Sequence, residues 1–196
     1  IRDPSRDNQH GRVYRISYPS RPYVQKPQIE GQPIESLLAL LKSPENRVRY
    51  RTRIELSGRD SAEVLLALEK WIADLDPSDS QYHHQLLEGL WVYQQHHQPN
   101  PQLLTQVLES PDFRVRAAAV RVLPAWKKEL TDPLTMLEAA IADAHPRVRL
   151  EAVRACSFFQ DPRALEIALR VLDQPMDRYL QYILTETVRQ LQQKDP

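Results

Sequence analysis

The sequence predicts an all-α fold, an α-solenoid of about five stacked helix pairs that follows a short strand-like segment. One observation is an internal repeat: Ser110–Arg121 and Ala144–Arg154 share a pattern that places Val115 and Val148 33 residues apart. The same frame reaches back to Ser43–Arg49 and forward to Gln174–Tyr179. Another copy, Asp76–Trp91, lies between the first and third, with Leu90 34 residues after Leu56 and 33 before Leu123, so the sequence holds five copies with a period of 31 to 34 residues. A second observation is that each copy carries apolar residues at helical spacing. Helix pairs repeated at this period bury their apolar faces by stacking.

The second helix of each pair, called helix B, has the clearest pattern. In the third copy its apolar residues recur every three or four positions: Val115, Ala118, Ala119, Val122, Leu123 and Trp126. The fourth copy repeats this stripe as Val148, Ala152, Ala155, Cys156 and Phe159. Such spacing places the apolar side chains on one face of an α-helix. The small residues in the stripe predict that neighbouring helices approach closely.

The first helix of each pair, called helix A, is short and rich in leucine. The five predicted segments are Leu37–Leu41, Val64–Ile72, Leu103–Leu108, Leu134–Ile141 and Ala164–Leu172.

Most of the 16 prolines stand where a helix is expected to begin. A small polar residue followed by proline suits an N-cap and the first helical position, because proline has no N–H that would need a partner there. Predicted starts of helix B are Ser43-Pro44, Asp76-Pro77, Ser110-Pro111, His145-Pro146 and Gln174-Pro175, and those of helix A are Asn100-Pro101, Asp132-Pro133 and Asp161-Pro162. Pro124 lies inside the third helix B and should kink or shorten it near Val120–Leu123.

The ends of the stack differ from its middle. Arg51, Thr52 and Glu55 stand in the first helix B where later copies carry alanine, which predicts a polar end cap. Residues 1–31 lack the repeat, and Gly11–Tyr18 alternates as a β-strand does. We therefore predict an N-terminal tail over 1–31, the end of an upstream sheet domain, and a helical repeat domain over 32–196.

Composition excludes several functions. The formal net charge is zero, which disfavours a general nucleic-acid binder. The four glycines cannot build a glycine-rich nucleotide loop, and a single cysteine excludes Cys-x-x-Cys sites. Apolar runs are far too short to span a bilayer. We therefore predict no cofactor, no metal, no nucleic acid and no membrane insertion for this segment.

The Arg-Val-Arg-x-x-Ala pattern at Arg114–Val120 and Arg147–Val153 resembles short bacterial HEAT repeats. Taken together, Gly11–Tyr18, Arg47–Arg51, Leu87–Trp91 and His145–Ala155 resemble the central region of the large planctomycete-type membrane-bound dehydrogenases. The resemblance implies a glucose/sorbosone-dehydrogenase-like β-propeller upstream, ending at Gly11–Tyr18, and a cytochrome c domain downstream. It also implies a periplasmic or cell-envelope location. None of that family's catalytic residues can be transferred onto this sequence.

The candidate partner-binding residues are Arg49, Arg116 and Arg149, which recur at matched positions. Equivalent positions of a solenoid stack into a ladder along one face, which could bind an anion or a protein. The alternative is structural: an arginine near a helix start reaches a capping residue of the adjacent turn, such as Asp143 or Asp112. We favour the structural alternative and retain the ladder as the place to look for a partner.

Other candidate residues have ordinary structural explanations. His83-His84 and His96-His97 could bind zinc or copper, but about 19 Å of helix would separate the pairs, so polar surface is the preferred interpretation. Trp71, Trp91 and Trp126 could stack on a base or sugar, but core packing is preferred. Cys156 lies on an apolar stripe and is interpreted as a small buried hydrophobic residue.

These observations favour a non-enzymatic scaffold whose partner is a protein, either the flanking domains of the same chain or another molecule. The alternative is a HEAT-like alkyl-purine DNA glycosylase. A continuous basic groove with an exposed tryptophan and a carboxylate at its centre would favour the enzyme.

Overall fold

The computed structural model describes residues 25–193 and, ahead of them, residues 9, 16 and 20. Within these residues the regular structure is entirely helical, with ten α-helices and one short 3-10 helix. The helices form five pairs: α1 (Ile34–Leu40) and α2 (Asn46–Ser57); α3 (Ser61–Ala73) and α4 (Tyr82–Gln95); α5 (Pro101–Leu108) and α6 (Phe113–Val120); α7 (Pro133–Ile141) and α8 (Pro146–Cys156); α9 (Arg163–Leu169), continued by the 3-10 helix Arg170–Asp173, and α10 (Arg178–Gln192). The predicted α-solenoid of five helix pairs is confirmed.

The helices lie in two layers, with the odd-numbered helices forming layer A and the even-numbered helices layer B. Each helix of layer B packs against the next one along the chain, and α8 packs closely on both α6 and α10. Fully buried Ala119, Ala152 and Ala155 allow this close approach. The helices of layer B contact one another along the whole stack, whereas contacts are weaker in the middle of layer A. We call the solvent-facing side of α2, α4, α6 and α8 the B face.

A single apolar core runs through all five pairs. Leu56, Leu90 and Leu123 occupy matched positions in the first three copies, and each is fully buried. The repeat in sequence is therefore also a repeat in burial. Between residues 25 and 193, no helix has the length and apolar character needed to cross a bilayer.

Pro124 ends the third helix B early, as predicted. Helix α6 stops at Val120, and the chain continues through turns from 121 to 130. Trp126 is nonetheless 3% exposed, so this irregular segment still contributes to the core. The loss of one N–H at proline shortens the helix without removing its apolar contacts.

The predicted helix starts are partly wrong. Asn100, Asp132 and His145 cap their helices with side-chain acceptors, each followed by proline at the first position. The other helix B starts come later than predicted. At Ser110-Pro111, the serine hydroxyl accepts the N–H of Asp112, and Asp112 is the residue that caps α6. The proline here belongs to the turn before the cap, because an aspartate further along supplies the acceptor.

The polar residues of the first helix B do not form one outward-facing stripe. Thr52 is fully buried, so its assignment to an end cap is wrong, whereas Arg51 is exposed. Glu55 is half-buried and its Oε1 accepts a bond from the Gly31 N–H at 3.2 Å. Burial of Thr52 follows from its place on the helical stripe with Val48 and Leu56, which faces the core.

The chain just before α1 is attached to the first pair. Ile29 packs against the core, and Arg59 Nη2 donates to the carbonyl of Gln32 at 3.4 Å. The predicted strand Gly11–Tyr18 lies outside the described residues, apart from Ile16, whose side chain is exposed. The predicted division into 1–31 and 32–196 stays a prediction.

Candidate functional site

Arg49, Arg116 and Arg149 lie in the first turn of three helix B segments and form the same bond in each. The Nη1 atom of each guanidinium donates to the backbone carbonyl six residues earlier, in the turn that joins helix A to helix B. The acceptors are Ser43 at 2.7 Å, Ser110 at 2.8 Å and Asp143 at 2.8 Å. Each arginine therefore fastens a helix start to the turn before it.

The same three arginines also reach the next helix pair. Arg116 donates through Nε and Nη2 to both carboxylate oxygens of Asp143, at 2.7 and 2.9 Å. Arg49 Nε donates to Glu88 at 2.9 Å, and Arg149 Nη2 donates to the carbonyl of Pro175 at 3.3 Å. The three arginines thus link the first pair to the second, the third to the fourth and the fourth to the fifth.

The three guanidinium groups are largely withdrawn from solvent. Arg149 is buried, and the Arg49 and Arg116 side chains are only 11% and 19% exposed. Burial alone would raise the pKa of Asp143, but the bonds from Arg116 outweigh it, so the pKa is lowered. The geometry matches the structural alternative, and partner binding by these arginines stays a prediction.

Replacing Arg116 with alanine is expected to lower the free energy of unfolding by about 2 kcal/mol, because charge-assisted bonds to Asp143 and the turn carbonyls are lost. Arg114, two residues earlier, has a 77% exposed side chain paired with Asp112, so its replacement with alanine is the matched control and should cost under about 0.5 kcal/mol. Urea unfolding followed by circular dichroism measures both variants. Equal losses would contradict a linking role for Arg116.

Glu88 is a fully buried carboxylate in the middle of α4. Its Oε1 accepts from Arg49 Nε and lies 3.3 Å from His84 Nε2, while Oε2 is paired with Arg53. Burial alone would raise the pKa of Glu88, but its contacts with His84, Arg53 and Arg49 prevail and lower it. Glu88 is therefore ionised in the folded protein and is not a free base.

Trp91 lies one helical turn beyond Glu88, and its ring lies on the B face. The Arg53 guanidinium stacks over its ring, 4.8 Å from the ring centre. Since Arg53 is also tied to Glu88, the carboxylate, the guanidinium and the indole form a layered unit that holds the ring in place.

A hollow of about 290 Å³ lies beside this ring, between α4, α6 and α8. Its lining combines apolar and polar side chains: Trp91, Gln94, Ala118, Arg121, Val122 and Arg154. Ala118 is the smallest of these side chains, so a larger residue at this position would reduce the hollow.

A second buried carboxylate, Glu151, is paired with both arginines that line the hollow. Three arginines surround it: Arg147 at 2.8 Å, Arg154 at 3.0 Å and Arg121 at 3.9 Å. Their side chains are 54%, 34% and 62% exposed, whereas that of Glu151 is 5% exposed. Three cations thus share one carboxylate, and positive charge remains on the surface.

The two histidine pairs lie at opposite ends of α4, as the preferred interpretation requires. His83 and His84 belong to the first turn, and His96 is the C-cap residue. His96 is buried rather than part of a polar surface, with Nδ1 2.9 Å from the Ser61 hydroxyl. Among the residues that the structure describes, no three metal-binding side chains come together.

The three tryptophans have different environments. Trp126 belongs to the core as predicted, and Trp71 is half-buried. Trp91 is half-buried and packs against the core, and it also lines the hollow. Cys156 is fully buried, and burial raises the pKa of its thiol to about 12, which confirms its interpretation as a small hydrophobic residue.

Sequence reasoning did not identify Glu88, Glu151, Arg121 or Arg154 as site residues. The signal for Glu88 is a lone carboxylate inside Leu87-Glu88-Gly89-Leu90, on an otherwise apolar helix. A carboxylate in such a position is expected to pair with a cationic side chain, because an unpaired buried charge is strongly destabilising. The identity of that cation depends on packing between helices from different repeats.

Comparison with known families gives one match: residues 101–189 match the family model of HEAT repeats. The matched part runs from α5 to within α10 and covers the third to fifth helix pairs. This supports a HEAT-repeat domain, and the first two pairs extend the same stacking toward the N-terminus. A comparison with curated proteins gives no match.

Proposed function

We propose that this helical stack is a non-catalytic scaffold that binds another protein across its B face. The observation that carries the proposal is the hollow beside Trp91, which is framed by side chains from three consecutive helices of layer B. A stack of repeats holds such side chains at fixed spacing over an extended surface. Arginine and tryptophan are also the residue types most enriched at the energetic centres of protein interfaces.

The alternative, a DNA glycosylase of the HEAT-like type, requires an accessible carboxylate near an exposed tryptophan. Glu88 is the carboxylate beside Trp91, and it is fully buried and paired with Arg49 and Arg53. Zero net charge over the chain also supports a protein partner rather than a nucleic acid. Release of alkylated bases from duplex DNA by the purified protein would overturn the non-catalytic assignment.

Site-specific crosslinking in cells tests the scaffold directly. A photoreactive amino acid at Gln94, in the hollow, should give discrete adducts with a polypeptide that mass spectrometry can identify. The same amino acid at Leu66, which is 73% exposed on α3 of layer A, is the matched control and should give few adducts. Equal labelling at both positions, or none at Gln94, would contradict a docking role for the B face.

The finer proposal places the chain inside a larger membrane-associated sugar dehydrogenase of the cell envelope, between a β-propeller and a cytochrome c domain. It rests on the sequence resemblance of Gly11–Tyr18, Arg47–Arg51, Leu87–Trp91 and His145–Ala155. In that arrangement the stack would set the distance between the flanking domains. Sequencing the gene on both sides tests it: propeller repeats upstream and a Cys-x-x-Cys-His motif downstream are expected, and their absence would reject this context.

A further inference from the structure

Three arginines cluster around one carboxylate on the B face, although the chain as a whole is neutral. Arg121, Arg147 and Arg154 converge on Glu151, and their guanidinium groups remain partly open to solvent. One carboxylate cannot neutralise three cations. This region is therefore suited to receive further negative charge from outside the chain.

The geometry of the hollow defines what kind of anion fits. Arg121 and Arg154 line one part of it, and the Trp91 ring with the Val122 side chain lines another. A volume of about 290 Å³ accommodates one or two side chains rather than a folded surface. A carboxylate can bond an arginine in bidentate fashion, while a neighbouring apolar group covers the indole.

The pocket is also preorganised. Arg154 Nε is held by Glu151 Oε2 at 3.0 Å, and Trp91 is held by the stacked Arg53 guanidinium. Side chains that are already fixed lose less conformational entropy when a ligand binds. The buried carboxylates Glu88 and Glu151 thus position the ligand-facing groups without contacting the ligand.

We propose that the hollow binds an acidic segment of a partner polypeptide, with an aspartate or glutamate between Arg121 and Arg154 and an apolar side chain against Trp91. This inference rests on the proposed scaffold function and names the chemistry of its partner. A peptide is favoured over nucleic acid because Arg121, Arg147 and Arg154 converge on a single carboxylate, Glu151. A phosphate backbone is better matched by a stripe of unpaired cations.

The test uses the full chain and a fluorescein-labelled peptide that alternates glutamate and leucine. Fluorescence anisotropy should show saturable binding, weakened roughly five-fold between 50 and 300 mM salt because exposed charges are screened. A peptide of the same length with lysine in place of glutamate should not bind. Binding of both peptides alike, or of neither, would overturn the proposal.

Variants locate the site. The double variant R121E/R154E should weaken binding of the acidic peptide at least about ten-fold, since two attractions become repulsions. The matched control is R170E, because Arg170 is exposed and paired with Glu138 in layer A. The affinity of this variant for the acidic peptide should stay within about two-fold of that of the original protein. Gln94→Lys adds a cation at the rim and should tighten binding about three-fold. This gain keeps the proposal falsifiable if the double variant folds poorly.

Competition distinguishes the possible failures. Duplex DNA is added as a competitor of the bound peptide. If DNA displaces the peptide at concentrations below the dissociation constant of the peptide, the arginines around Glu151 bind nucleic acid instead. Protein adducts at Gln94 without acidic-peptide binding would leave the scaffold intact and reject only the acidic partner. Peptide binding that is unchanged in both R121E/R154E and Gln94→Lys would reject this hollow as the site.

Discussion

Glu88→Gln is expected to lower the free energy of unfolding by about 3 kcal/mol at pH 7, because it leaves two guanidinium groups without their shared buried counter-charge. Arg49 and Arg53 side chains are only 11% and 12% exposed, so neither can turn freely into solvent to recover hydration. Glutamine keeps the size of the side chain but supplies no charge. Urea denaturation followed by circular dichroism gives the free energy directly.

Glu151→Gln is the matched control for this loss. Glu151 is also a buried carboxylate on helix B, but its arginine partners are one-third to two-thirds exposed and can be hydrated when the charge disappears. We therefore expect a loss of about 1 kcal/mol. A larger loss for Glu151→Gln than for Glu88→Gln would show that burial of the partner arginines does not determine the cost.

The contribution of Glu88 should depend on pH in a defined direction. Its pKa is lower in the folded protein than in the unfolded chain, so ionisation stabilises the folded state. The stabilisation is complete above the ordinary glutamate pKa of about 4.3 and is lost as the pH falls through the lower pKa of the folded protein. The difference between the original protein and Glu88→Gln should therefore narrow below about pH 4. A constant difference from pH 7 to pH 3 would contradict this account.

Leu123→Ala is expected to lower the free energy of unfolding by about 4 kcal/mol, the largest effect of a single substitution that we predict. Leu123 is fully buried between the second and fourth helix pairs, so the cavity left by alanine cannot collapse without disturbing neighbours on both sides. Leu90→Ala, at the matched position one repeat earlier, should cost a similar amount. Equilibrium unfolding in urea measures both.

Leu56→Ala completes the series at the end of the stack. Leu56 is as completely buried as Leu90 and Leu123, but its helix pair has a neighbouring pair on one side only among the residues described. An end pair can relax or unfold separately, so the expected loss is nearer 2 kcal/mol, with a shallower dependence on urea. A loss for Leu56→Ala that exceeds the other two would argue against nearest-neighbour stacking as the source of stability.

The sequence was sufficient to predict the number of helix pairs, because periodic burial depends on neighbours that are close along the chain. Val115, Leu123 and Val148 show the helical stripe and the repeat frame without any knowledge of the fold. The early end of α6 at Val120 was also predictable, since the effect of Pro124 is local. In contrast, several helix starts were placed too early: α6 and α10 are capped by Asp112 and Asp177, which follow the predicted prolines.

The candidate site was less predictable than the fold. The repeat indicated that Arg116 and Arg149 are equivalent, but their bonds to Asp143 and Pro175 depend on how consecutive turns meet. The hollow depends on the absence of bulk at Ala118 between Trp91 and Arg154, which come from different repeats. A pattern within one helix does not specify an empty space between three helices.

Arg149 donates to the backbone carbonyls of Asp143, Ala144 and Pro175, and not to any side chain among these residues. Every amino acid supplies a carbonyl, so the acceptor positions can change identity without deleting the bonds. The donor has no such freedom, since only a guanidinium offers several N–H groups in a rigid fork. At this junction the arginine is therefore constrained, whereas the residues that supply the carbonyls can be substituted. The loops can diversify in sequence while the helix pairs keep their relative positions.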